Sequence, residues 1–186
     1  MGIVQDIKGL ITSIPPFDEL EKKHLLFAKE WIESGAGIFR MNKPATPDPH
    51  LVAYFLLLDE AEKKVLLVSH KKADLWLPAG GHVEPNEHPF DTVKREIQEE
   101  LFSEADFLLP NPFFLTVTET AKQTPSHTDV SLWYLLNGNS KKNYQFDQDE
   151  FYEIAWFRKD EIPYKKADPH MQRCIYKLEF LHFFEM

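Results

Sequence analysis

The stretch LVAYFLLLD, from Leu51 to Asp59, is apolar at nearly every position. A strand with one face in water alternates apolar and polar residues, so a run this uniform belongs to a strand that is covered. The polar turn Glu60-Ala61-Glu62 follows, and KKVLLVSH, from Lys63 to His70, repeats the strand character. The pair reads as a β-hairpin with one strand strongly buried. LWLP from Leu75 gives a third short strand, and FFLTVTET, DVSLWYLL and FYEIAWF, starting at Phe113, Asp129 and Phe151, give three more.

Helical spacing surrounds these strands. Val4, Ile7, Ile11 and Ile14 recur at the helical period until Pro15-Pro16 stops it. A second helix is predicted from Asp18, which can cap it with Glu21 returning the contact, to near Gly35, with Leu20, Phe27, Trp31 and Ile32 as its apolar side. The segment KPATPDPH, with Pro44, Pro47 and Pro49, reads as an extended connector. From Pro89 to Leu101 the stripe Phe90, Val93, Ile97 and Leu101 predicts an amphipathic helix. Asp168 as cap and Pro169 in the first turn announce a last helix with Met171, Ile175 and Leu178 facing inward. Mixed strands and helices with a hairpin start predict the α+β class. The chain divides into residues 1–49, a helical extension with the proline-rich connector, and residues 50–186, the main domain with its C-terminal helix. The N-terminal helices are expected to pack on the core or on a second copy, which leaves a homodimer open.

Composition narrows the function classes. The 186 residues are 43% hydrophobic and 27% charged, a balance that folds into a globular core. A net charge of -9 disfavours a nucleic-acid or anionic-membrane partner held by broad electrostatic attraction. Phosphates can still bind through a local device such as a metal ion. The single cysteine, Cys174, excludes an intrachain disulfide and a multi-cysteine zinc site, and points to a reducing cytoplasm. No run reaches the roughly 18 apolar residues of a membrane span, and no secretory leader is evident.

The predicted helix at Pro89–Leu101 poses a local problem. Glu96, Glu99 and Glu100 project from one side of it, and three like charges so close repel each other and raise one another's proton affinity. An ordinary solvated acidic face is one explanation. A hard divalent cation is the other, since Mg2+ takes oxygen ligands and is commonly shared between protein carboxylates and substrate phosphates. The preceding Gly80-Gly81 pair allows a tight loop whose backbone can approach a ligand. Arg95, four residues before Glu99, can hold a carboxylate in its ionised form, and Glu87 suits the positive end of the helix dipole. An EF-hand loop of spaced Asp, Asn and Gly is absent.

Taken together, Gly81, Glu87, Arg95, Glu96, Ile97, Glu99 and Glu100 resemble the Nudix box: glycine, five residues, glutamate, seven residues, then Arg-Glu, an aliphatic residue, any residue and Glu-Glu. The family pattern continues with a glycine where this chain has Phe102, so the end of the helix is expected to differ. The lead-in LWLPAGGHVE and the later EFYEIAWF also look like the family's strands, extending the similarity over about Leu51 to Pro163.

The resemblance implies a mixed sheet between helices in an α/β/α arrangement. It also implies hydrolysis, with Mg2+ or Mn2+, of a phosphoanhydride in a nucleoside diphosphate-linked small molecule. Glu96, Glu99 and Glu100 become metal ligands by that likeness, one of them a candidate base, with the Gly80 carbonyl as a further ligand. Arg95 and Glu87 become their supporting ion pair. Family members recruit another acid from outside the box, and Glu150, with Glu153 behind it, is the candidate here against the alternative of a plain polar loop. His127 and Asp129, two apart at a strand entry, point to one face and are candidates to line the substrate pocket. His82, directly after the glycines, is a candidate for phosphate contact or else faces solvent. The competing function is a Nudix-fold module that senses a nucleotide without cleaving it.

Overall fold

The computed structural model describes residues 2–42, 46–120 and 126–184. Pro44 of the connector lies outside the described residues. Helices α1 (Ile3–Ser13) and α2 (Glu19–Glu33) come first, followed by strands β1 (His50–Asp59), β2 (Lys64–His70), β3 (Leu75–Leu77) and β4 (Ala79–His82). Helix α3 (Pro89–Leu101) precedes β5 (Phe114–Glu119), β6 (Thr128–Asn137) and β7 (Phe151–Phe157), and α4 (Met171–Phe180) closes the order. The chain is α+β with a mixed sheet, as expected. Hydrogen bonding orders the strands β3-β2-β1-β6-β5, with β4 on β1 and β7 on β2. No helix among the described residues is long and apolar enough to cross a membrane.

Two compact units emerge, one of Met1–Tyr54, Gly80–Val93 and Leu109–Tyr134, the other of Phe55–Ala79, Lys94–Leu108 and Leu135–Met186. In the first unit, Ile7, Ile11 and Ile14 are buried, as the spacing requires. Asp18 Oδ1 accepts the Glu21 N–H at 2.7 Å, the expected cap. Glu21 returns its contact to Phe17 N–H at 2.7 Å, one residue earlier than a standard capping box, and is wholly buried. The apolar side of α2 differs from the sequence expectation. Leu20 and Phe27 are each 41% exposed, and the covered stripe runs through Glu21, Leu25, Ala28 and Ile32 with Trp31 beside it. The reason is Glu21, whose Oε1 accepts from Leu115 N–H of β5 at 3.3 Å and so turns the helix to aim a carboxylate at the strand.

In the second unit the hairpin forms as read, with Leu58 opposite Val65 and Asp59 opposite Lys64. Strand β7 lies along β2 from Val65↔Phe157 to Ser69↔Glu153. Met171, Ile175 and Leu178 of α4 are buried. Asp168 lies two residues before the N-cap, His170: its Oδ1 accepts from His170 N–H at 2.8 Å, and the helix proper begins at Met171.

Candidate active site

The carboxylate helix α3 starts at Pro89 and ends at Leu101, the limits its periodicity predicts. In the second unit, Arg95 Nη1 lies 2.7 Å from Glu96 Oε1 and 3.4 Å from Glu99 Oε2. One guanidinium thereby holds two acids, and charge-assisted bonds of this kind are stronger than neutral ones. The Glu96 side chain is 12% exposed and that of Glu99 61%. Glu100 is buried, and its backbone carbonyl accepts from Asp147 N–H at 2.8 Å.

Burial pushes the pKa of the Glu96 carboxyl above its ordinary value; Arg95 opposes this, and the charges of Glu99 and Glu150 push it higher still. Glu150 stands exposed in the turn just before β7, close enough for Glu96 to feel its charge. Glu153 is exposed on β7 opposite Ser69. Acids from α3 and from the β7 entry thus act on one another within the unit.

The helix stop survives the missing glycine. Phe102 itself takes the left-handed conformation at φ 47°, and Ser103 N–H reaches back to the Ile97 carbonyl at 3.3 Å. Phe102 is 55% exposed, so little packing offsets the backbone strain.

In the first unit the Gly80-Gly81 segment is strand β4 rather than the loop expected from its glycines. Gly80 has φ 132°, and a Cβ there would sit 2.2 Å from the Ala53 carbonyl oxygen and 2.9 Å from Tyr54 Cα. Only a residue without a side chain lets β4 lie this close to β1. Glu87 Oε2 accepts from Glu84 N–H at 3.1 Å and from the Thr92 hydroxyl at 2.7 Å, tying the approach of α3 to its first turn.

His82, at the end of β4, turns inward. His82, His127 and Asp129 come together with His50, the first residue of β1. His50 and His82 Nε2 are 3.0 Å apart. Asp129 Oδ1 is 3.1 Å from His50 Nε2, 3.4 Å from His127 Nε2 and 4.0 Å from His82 Nε2. His127 and Asp129 do share a face, and both are buried along with His50. The sequence reading had not singled out His50. The His127-x-Asp129 spacing was its one local hint, because His50 joins the group only through the pairing of β1.

Comparison with known proteins gives a consistent result. The family model for the NUDIX domain matches residues 48–178. A NUDIX-family hydrolase from Clostridium perfringens has a similar structure, with TM-score 0.52 and 23% identity over 71% of this chain and 97% of its own. A MutT NUDIX hydrolase from Burkholderia pseudomallei matches with TM-score 0.52 and 23% identity, over 69% and 95%. The E. coli dihydroneopterin triphosphate pyrophosphohydrolase matches with TM-score 0.55 and 14% identity, over 78% and 99%. At these identities the likeness is one of fold. No curated protein matches the sequence.

Proposed function

Since the chain belongs to the Nudix family of pyrophosphohydrolases, we propose that it uses a divalent metal ion to hydrolyse a phosphoanhydride of a nucleoside diphosphate-linked substrate, a nucleoside triphosphate or related small nucleotide. The observation that carries this reading is the state of Glu96. A carboxyl whose burial and acidic neighbours raise its proton affinity, yet which is held by an arginine, is arranged to be ionised by a cation. The donor set of Glu96, Glu99 and Glu100 is all oxygen, which fits Mg2+ or Mn2+.

Glu96, Glu99 and Glu100 would hold the ion, which would supply positive charge to phosphoryl oxygens and acidify a water. The chain's own residues do the rest. Arg95 orients Glu96 and favours its ionised form. Glu150 is the proposed proton acceptor for the attacking water, its charge left unpaired by Arg95, which binds Glu96 and Glu99 instead. Residues 50–186 form the proposed catalytic domain.

The test is an assay against nucleoside triphosphates, ADP-ribose, dinucleoside polyphosphates, coenzyme A and capped RNA with Mg2+ or Mn2+. Glu99→Gln and Glu100→Gln should each lower turnover on the accepted substrate by about 10²–10⁴. Tight nucleotide binding with no release of phosphate or monophosphate from any compound would instead establish a sensor.

A further inference from the structure

We propose that His50, His82, His127 and Asp129 form a second metal centre, a four-donor site for a borderline divalent transition ion of the zinc class. It is chemically distinct from the carboxylate site, and it gives these side chains a ligand role in place of the pocket-lining role expected from sequence.

The geometry comes first. A tetrahedral zinc with bonds of about 2.0–2.1 Å places neighbouring donors about 3.3 Å apart. Here four of the six donor separations are 3.0, 3.1, 3.4 and 4.0 Å. All four ligand atoms lie within 4.8 Å of one another, so small side-chain rotations close the shell.

Proton placement favours a cation at the point where these groups converge. His50 Nδ1 lies 3.0 Å from the Pro47 carbonyl, which can only accept, so that nitrogen carries a proton. In the neutral ring Nε2 then presents a lone pair to Asp129 Oδ1 at 3.1 Å. Asp129 Oδ1 is buried and accepts no hydrogen bond of adequate geometry. A second proton on His50 relieves one of these contacts, but His82 and His127 also aim nitrogens at the same point. One cation satisfies all four.

The surroundings complete the arrangement. His127 Nδ1 meets Thr120 Oγ1 at 3.0 Å, as His50 Nδ1 meets Pro47, so the protein holds the outer nitrogens of both these rings. Such partners fix ring orientation at metal sites. Three imidazoles and one carboxylate select zinc-like ions over Mg2+. Four protein donors on β1, β4 and the β6 entry leave no open position, which makes the ion structural. It holds the glycine-bearing strand β4, through His82, to its neighbours. The His82 side chain, 27% exposed, gives the ion its way in.

The test uses full-length protein stripped with a chelator and titrated with Co2+ and with Zn2+. One equivalent of Co2+ should produce the intense visible bands of a four-coordinate N/O site, Zn2+ should bleach them, and excess Mg2+ should not. His127→Ala and Asp129→Asn should weaken Zn2+ uptake at least 100-fold, while Glu99→Gln leaves it unchanged. Zn2+ should raise the melting temperature of the unmodified protein and of Glu99→Gln, but not of Asp129→Asn. Absence of a stoichiometric Co2+ spectrum in unmodified protein overturns the proposal whether or not any variant folds. Uptake lost in Glu99→Gln and kept in Asp129→Asn also overturns it, by assigning the metal to the carboxylates. None of these readouts depends on hydrolysis.

Discussion

Replacing Gly80 by alanine tests the tightest backbone approach around the site. The added Cβ would meet the Ala53 carbonyl oxygen at 2.2 Å and Tyr54 Cα at 2.9 Å, both backbone atoms that cannot rotate aside. Carbon atoms pack best at about 3.5–4.0 Å, so strand β4 must move by roughly an ångström or separate from β1. The φ of 132° adds a second cost, because alanine rarely occupies that region. Overpacking costs about 1–3 kcal/mol and such backbone strain about 1–3 kcal/mol, so the substitution should remove about 2–6 kcal/mol. A domain of this kind has only about 5–15 kcal/mol in total. At about 2–4 °C per kcal/mol for a chain of this size, the melting temperature should fall by roughly 4–24 °C. Gly9→Ala is the matched control. Gly9 lies within α1 with nothing within 4 Å of its virtual Cβ, and alanine there should stabilise by about 0.5–1 kcal/mol. Urea unfolding of both variants reads the difference directly. A Gly80→Ala loss below about 1 kcal/mol at unchanged urea slope would refute the close-approach argument.

Phe102→Gly should stabilise by about 0.5–1 kcal/mol, because relief of left-handed strain, about 1–2 kcal/mol, exceeds the added chain entropy of glycine; a net loss in urea midpoint would contradict this. Glu21→Ala removes a wholly buried carboxylate that accepts from Phe17 N–H and Leu115 N–H. With charge-assisted bonds at about 1.5–3 kcal/mol each, the loss should be at least about 3 kcal/mol, and a change under about 1 kcal/mol would exclude the clamp. Glu96 binds its proton more tightly in the folded chain than at the ordinary value of 4.5, so the folded state holds more protons. Without metal, stability should therefore be greatest below that value and fall as pH rises through the raised folded pKa. Urea midpoints in chelator across this range should show the fall in unmodified protein and lose it in Glu96→Gln. Isothermal titration with Mg2+ should show proton release in the same window, and metal uptake without it would be evidence against Glu96 as a ligand.

The sequence alone determined what short-range physics controls. The limits of α3, the hairpin at Glu60-Ala61-Glu62 and the Asp18 cap follow from periodicity and from side chains reaching three or four residues away. The spacing of Gly81, Glu87, Arg95, Glu96, Glu99 and Glu100 is also a local object, spread over the end of β4, one turn and one helix. Tertiary structure decided the rest. Leu20 and Phe27 have the right spacing for a buried stripe, yet Glu21 turns α2 so that its carboxylate reaches β5. Gly80-Gly81 looks like a loop until β1 is present to pair with it. His50 and His82 meet across a separation of 32 residues. Convergence of that kind depends on strand pairing and register, which sum interactions along the whole sheet, and no window of the chain contains them.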